Sequence, residues 1–237
     1  MKYYSLNFNS SKVGFLEAVK KGLAPDRGLY FPELQPTLSS DIIAHLSSMS
    51  NNELAYHAIQ PFIGEDLSEN DLRTIIKDTL SFDFPVIALT NSIASLELFH
   101  GPTLAFKDVG ARFMARCLAY TNQKDKEEKL TILVATSGDT GGAVADGFYN
   151  VPGIEVVILY PKGKVSAVQE KQLTTLGGNI TALEIEGSFD DCQDMVKTAF
   201  IDQTLAKHLN LTSANSINIA RWLAQMFYYF IAYKNRP

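Results

Sequence analysis

Cysteine is almost absent from this chain: two residues, Cys117 and Cys192, in 237. They lie far apart in apolar stretches of helical spacing. That excludes a disulfide framework and a thiolate metal cluster, and both read as buried thiols. Histidine is scarce as well, at four residues. His45 and His57 have no partner at ligand spacing and read as core or surface histidines. No surplus of positive charge is present; 21 Lys and Arg against 26 Asp and Glu give a net charge of −5. Nucleic acid and acidic membrane are therefore not expected as partners. The opening Met1-Lys-Tyr-Tyr-Ser has no apolar run of signal-peptide length. The longest apolar run near the end, Met226–Tyr233, is too short to cross a bilayer and reads as a core helix. Cytoplasm is the expected compartment. There is no internal repeat and no low-complexity segment.

What is present is enough apolar material for a proper core, 46% of residues, in one large domain or two small ones. Residues 1–84 read as a helical N-terminal unit. Tyr3–Leu6 is a short strand candidate, and Ser11 is placed to cap a helix that ends near Gly22. Ser39 or Ser40 is placed to cap Asp41–Met49, and Asn51 or Asn52 to start a helix disturbed by Pro61. Asp71–Leu80 follows Ser68. From residue 85 to residue 237 the pattern changes. Val86–Leu89 and Leu96–Phe99 read as strands, and so do Thr131–Ala135, Glu155–Tyr160 and Ile180–Ile185. Helices are expected at about Thr140–Phe148, Ser166–Leu176, Phe189–His208 and Ser216–Lys234. Apolar runs of strand length alternating with helices predict an α/β fold with a parallel sheet. Ligands of such sheets bind beyond the carboxyl ends of the strands. The charged run Lys124–Lys129 reads as a solvated helix end and connection.

The chain is organised around Phe99–Ala115, where a turn on Gly101 and Pro102 leads into a helix with Lys107 near its start. Thr103 is a candidate N-cap. Phe106, Val109, Phe113, Met114, Cys117 and Leu118 recur at helical spacing and predict one buried face. The positive end of a helix disfavours an ammonium, so Lys107 is expected to have the lowered amine pKa that Schiff-base chemistry requires.

Two more motifs fall at strand ends. Ala135-Thr-Ser-Gly-Asp-Thr-Gly-Gly142 joins a strand to a helix through a turn of the kind that cradles anions. Its spacing is neither that of a dinucleotide fingerprint nor that of a P-loop. Thr212-Ser-Ala-Asn-Ser-Ile-Asn218 opens the last helix, which Ser213 or Asn215 could cap. Arg221 lies one turn further in, within reach of an anion at the helix start.

Together these motifs resemble threonine synthase, a pyridoxal-phosphate family of the tryptophan-synthase β-subunit fold, over essentially the whole chain. The resemblance rests on Leu98-Phe-His-Gly-Pro-Thr-Leu-Ala-Phe-Lys-Asp108, Ala135–Gly141, Ile158-Leu-Tyr-Pro-Lys-Gly-Lys164 with Gln169-Glu-Lys171, Leu176-Gly-Gly-Asn179, and Ser213–Asn218. Gly28-Leu-Tyr-Phe-Pro32 is similar to the family's N-terminal domain. The resemblance implies a helical N-terminal domain (1–84) followed by part of a fold-type-II pyridoxal-phosphate enzyme (85–237). It implies a Schiff base on Lys107 and conversion of O-phosphohomoserine and water to threonine and phosphate, with the Lys107 amine moving protons. Thr136, Ser137, Gly138, Thr140 and Gly141 match the turn that faces the substrate carboxylate. Asp139 stands where related enzymes carry Asn toward the cofactor's phenolic oxygen, and Phe106 and Asp108 flank the lysine. Lys162, Lys164, Ser213, Asn215 and Arg221 are candidates for the substrate phosphate.

The family continues past this point with a strand and a Gly-Asn-Phe-Gly phosphate loop that the sequence does not contain. A truncated product is therefore expected, with weak cofactor binding, poor activity alone, and self-association through exposed core surface. Two alternatives stay open. One is a similar phospho-lyase giving a 2-oxo acid and ammonia; the other is a non-catalytic small-molecule or protein-binding fragment.

Overall fold

The computed structural model describes residues 1–125 and 129–236. The run Lys124–Lys129 lies largely outside the described residues.

The chain opens with β1 (Tyr3–Ser5), α1 (Phe15–Lys21) and β2 (Tyr30–Pro32), β1 and β2 pairing antiparallel. Ser11 does not cap α1. The helix starts after Gly14 with no side-chain cap, and the Asp66 carboxylate accepts the Leu16 N–H at 2.9 Å instead. A partner fifty residues away is invisible to a local reading. Gly22 closes α1 at φ 70°, a left-handed conformation suited to glycine. Serines then start three helices by accepting first-turn N–H groups: Ser39 for α2 (Ser40–His45), Ser50 for α3 (Asn51–Ile63) and Ser68 for α4 (Glu69–Thr79). Leu46–Ser48 continue α2 as one 3-10 turn, and Pro61 is accommodated near the end of α3.

β3 (Val86–Ala88) and β4 (Ala94–Leu96) form an antiparallel hairpin. The second strand comes earlier than Leu96–Phe99 because the Thr90 hydroxyl accepts the N–H groups of Ser92 and Ile93 and tightens the turn. Next come α5 (Asp108–Asp125), β5 (Leu130–Ala135), α6 (Asp139–Phe148), β6 (Ile154–Pro161), α7 (Ala167–Thr174) and β7 (Ile180–Ile185). The chain continues through α8 (Phe189–Ile201), α9 (Gln203–His208), β8 (Asn210–Thr212), α10 (Ile219–Ala224) and α11 (Met226–Lys234). The architecture is α/β: β7, β6, β5 and β8 form one parallel sheet in that order.

Two expected long helices are each divided. Asp202 ends α8 and accepts the Thr204 and Leu205 N–H groups to start α9. Gln225 separates α10 from α11. Asn218, rather than Ser213 or Asn215, caps α10 by accepting the Ala220 N–H. Met226–Tyr233 is buried on one face only; Phe227, Tyr228 and Ile231 are buried while Tyr229 is 77% exposed.

One apolar core runs from the N-terminal unit through α5 to α11. Phe15 meets Phe113 at 6.5 Å between ring centroids, and Phe113 meets Phe227 at 6.1 Å. Cys117 and Cys192 are buried free thiols. Among the described residues, no helix is long and apolar enough to cross a membrane.

Candidate active site

Lys107 is the residue just before α5, and its carbonyl accepts the Ala111 N–H at 3.0 Å. Thr103 is not the cap. It is tied to the helix in the reverse sense, with Asp108 accepting its N–H at 3.0 Å and its hydroxyl as well. Asp108 is buried, and that burial raises its pKa against the opposing pull of the Thr103 hydrogen bonds. A Cβ on Gly101 would fall 2.4 Å from the Asp108 carboxylate, so the loop closes only over glycine. Val109, Phe113, Met114, Cys117 and Leu118 make the buried face. Phe106 precedes the helix and is exposed; its carbonyl accepts the Tyr228 hydroxyl, and its ring centroid lies 5.5 Å from Lys107 Nζ.

The turn after β5 is held from inside. Thr136 is buried, and its Oγ1 accepts the N–H groups of Gly138 at 3.0 Å and Gly141 at 2.8 Å. Gly138 has φ 140°, and a Cβ there would lie 2.5 Å from the Gln169 amide. Ser137 and Asp139 are exposed and Thr140 is half-buried. The first-turn N–H groups of α6, on Asp139 and Thr140, have no partner within the helix by its geometry. Here the two motifs meet: Lys107 Nζ lies 3.9 Å from Asp139 Oδ2. The other carboxylate oxygen, Oδ1, accepts from Gln169 Nε2 at 2.5 Å.

The remaining predicted residues are more scattered. Lys162 and Lys164 are exposed just past β6, with Lys162 paired to Glu186. Ser213 is buried, its hydroxyl accepting the Asn215 N–H at 3.2 Å; Asn215 is half-buried. Arg221 is 1% exposed and donates through Nη1 to the Ala214 carbonyl. Its Nε has no hydrogen-bond partner among the described residues, and burial lowers its pKa to about 10. It packs beneath α5 against Gly110, where a Cβ would lie 2.7 Å from the Arg221 carbonyl.

The structure thus brings together Lys107, Phe106, Asp139 and the 136–141 turn, and sets Arg221 inside the core. Sequence reasoning assigned no role to Gln169, although it lay in a quoted motif, or to Tyr228. The signal for Tyr228 was a hydroxyl within an apolar run, since buried tyrosines find a hydrogen-bond partner. Two cavities are formed by the described residues. One of about 480 Å³ is lined by Asn51, Phe82 and Lys234 among others, and one of about 390 Å³ by Thr103, Gly142, Asp146 and Gln172 among others. Lys107 lines neither.

Residues 2–80 match the protein family described as threonine synthase N terminus, and residues 90–233 match the family described as pyridoxal-phosphate dependent enzyme. Similar curated proteins include the threonine synthase of Serratia marcescens, 48% identical over 100% of this chain and 54% of that protein. The threonine synthase of Escherichia coli is 45% identical over 100% of this chain and 55% of its own. The crystal structure of the Escherichia coli threonine synthase superposes with a TM-score of 0.90, at 45% identity, over 100% of this chain and 55% of that one. A threonine synthase from Brucella melitensis with bound pyridoxal phosphate superposes at 0.92 and 40% identity, over 99% and 52%. The chain spans about half the length of the curated relatives it matches.

Proposed function

Because the chain belongs to the pyridoxal-phosphate dependent enzyme family, we propose that it carries the lysine-bearing half of a threonine synthase, with Lys107 as the residue that takes the cofactor. The substrate class is a phosphorylated amino acid, O-phosphohomoserine, and the setting is the cytoplasm. The observation that carries this reading is the approach of Lys107 Nζ to Asp139 Oδ2, 3.9 Å across two separate motifs at the carboxyl end of β5.

The local chemistry fits the group. The Lys107 side chain is 26% exposed, enough for an aldehyde to reach the amine. Gly138 lets the turn pass close against the Gln169 amide, which a Cβ there would strike at 2.5 Å. When bound, pyridoxal phosphate supplies an electron sink for carbon acids. The protein's own part is to move protons at Lys107 Nζ, with the Asp139 carboxylate 3.9 Å away. The N–H groups of Asp139 and Thr140, with the Ser137 hydroxyl, are the donors offered to a substrate carboxylate. Lys162 and Lys164, at the same edge of the sheet, are the exposed cations offered to a phosphate. Thr136 and Gly141 act one layer behind, as the frame of the turn. Ser213, Asn215 and Arg221 are assigned to the segment that supports α5 from below.

Titration with pyridoxal phosphate, followed by visible absorbance, tests the reading. One saturable site is expected in the natural chain and none in Lys107→Ala; equal, non-saturating uptake by both would overturn it. On turnover of O-phosphohomoserine, threonine is the expected product, and a 2-oxo acid with ammonia would replace this assignment with the phospho-lyase.

A further inference from the structure

We propose that Gln169 is a positioning residue that turns the Asp139 carboxylate toward Lys107, an inference that rests on Lys107 being the cofactor lysine. Asp139 has two oxygens and two neighbours. Gln169 Nε2 donates to Oδ1 at 2.5 Å, and Oδ2 is left facing Lys107 Nζ at 3.9 Å. The amide of Gln169 is itself fixed. Its Oε1 accepts from the Ser166 N–H at 3.3 Å and the Ser166 hydroxyl at 3.0 Å, closing the capping box at the start of α7. A backbone N–H can meet only the amide oxygen, and a carboxylate only the amide nitrogen, so these two contacts leave one orientation for the side chain.

The neighbouring turn is shaped around this contact. Gly138 stands where a Cβ would come within 2.5 Å of the Gln169 amide carbon and oxygen. Any other residue there would push Gln169 away from Asp139. The result is a relay from the cap of α7, through Gln169, to the first residue of α6 and on to the lysine that precedes α5. Three elements that follow different parts of the chain are locked at one carboxylate. The hydrogen bonds of Gln169 go to Ser166 and Asp139 and not to the lysine, so it acts through Asp139.

The test uses an uncharged acylating reagent, acetic anhydride at limiting dose, on the natural chain without cofactor. Acetylation of Lys107 is read by mass spectrometry relative to exposed Lys129. Gln169→Glu keeps the capping box, because Glu serves at this position as well as Gln. It removes the donor and sets a second carboxylate beside Asp139, which favours the protonated, non-nucleophilic lysine. Lys107 acetylation should slow by at least about threefold, with the melting temperature unchanged.

The double variant Asp139→Asn with Gln169→Glu exchanges donor and acceptor, restores the hydrogen bond and keeps the charge of the pair. Acetylation should return to within about twofold of the natural chain. A role in packing alone would move the melting temperature and leave the Lys107 rate where it was. An unchanged rate in Gln169→Glu, or a folded double variant that fails to recover, overturns the proposal. Since no cofactor enters this assay, its failure is separable from failure of the cofactor titration.

Discussion

Thr136 holds a turn that its sequence context offers to a ligand. Its hydroxyl accepts the Gly138 and Gly141 N–H groups from a buried position, so its first duty is to shape the backbone that other residues use. Thr136→Val keeps the shape and leaves two buried N–H groups unpaired. A loss of about 2–4 kcal/mol is expected at one to two per orphaned donor, read by urea unfolding; a loss within error would show that the turn holds itself. Asp108 gives a pH signature. Its carboxyl pKa is raised from 3.8 by burial, so the folded protein binds this proton more tightly than the unfolded chain. The contribution of Asp108 to stability is therefore greatest at low pH and is lost as pH rises from 3.8 through the raised value. Asp108→Asn should flatten that slope in unfolding measurements followed upward from pH 3.8; an unchanged slope would contradict the assignment. The closeness of Lys107 to the 136–141 turn was legible, since ligands of a parallel sheet bind beyond the strand ends where both motifs fall. Arg221, expected within reach of an anion at the helix start, is instead buried by the packing of α10 on α5, which no local pattern carries.

At the scale of elements, the parallel strands announced themselves. The apolar runs Leu130–Ala135 and Ile154–Pro161 are what a sheet covered by helices requires, while Ile180–Ile185, at the sheet's edge, is largely exposed. β8 did not, because three residues carry too little pattern and only pairing with β5 makes them a strand. The splits at Asp202 and Gln225 were hidden too, since helical periodicity continues across both. Asn218 was missed as a cap because its worth is tertiary. It accepts the Ala220 N–H at 3.1 Å and donates to the Val19 carbonyl at 2.8 Å, fastening the end of α1 to the start of α10. Asn218→Ala should cost about 2–4 kcal/mol, a lost cap plus an unpaired buried carbonyl, measured by thermal unfolding. A cost of a few tenths would mean that the link is incidental.

For the whole molecule, the core that passes from Phe15 to Phe113 to Phe227 makes the N-terminal unit part of the platform beneath Lys107. Phe113→Ala empties the middle of that path and should destabilise by about 3–5 kcal/mol. Near- and far-ultraviolet signals should still move together, as one cooperative transition; two separated transitions would show that the segments fold independently. Such a core is consistent with helical and strand periods read in sequence, but its continuity between distant segments is a property of packing that no local pattern carries.

Borohydride reduction of the chain after mixing with pyridoxal phosphate, with the modified residue mapped by mass spectrometry, tests the central claim most directly. Label concentrated on Lys107, and absent from Lys107→Ala without moving to another lysine, is the predicted result. Label spread evenly over exposed lysines such as Lys129 and Lys164, with Lys107 no richer than they are, would contradict it.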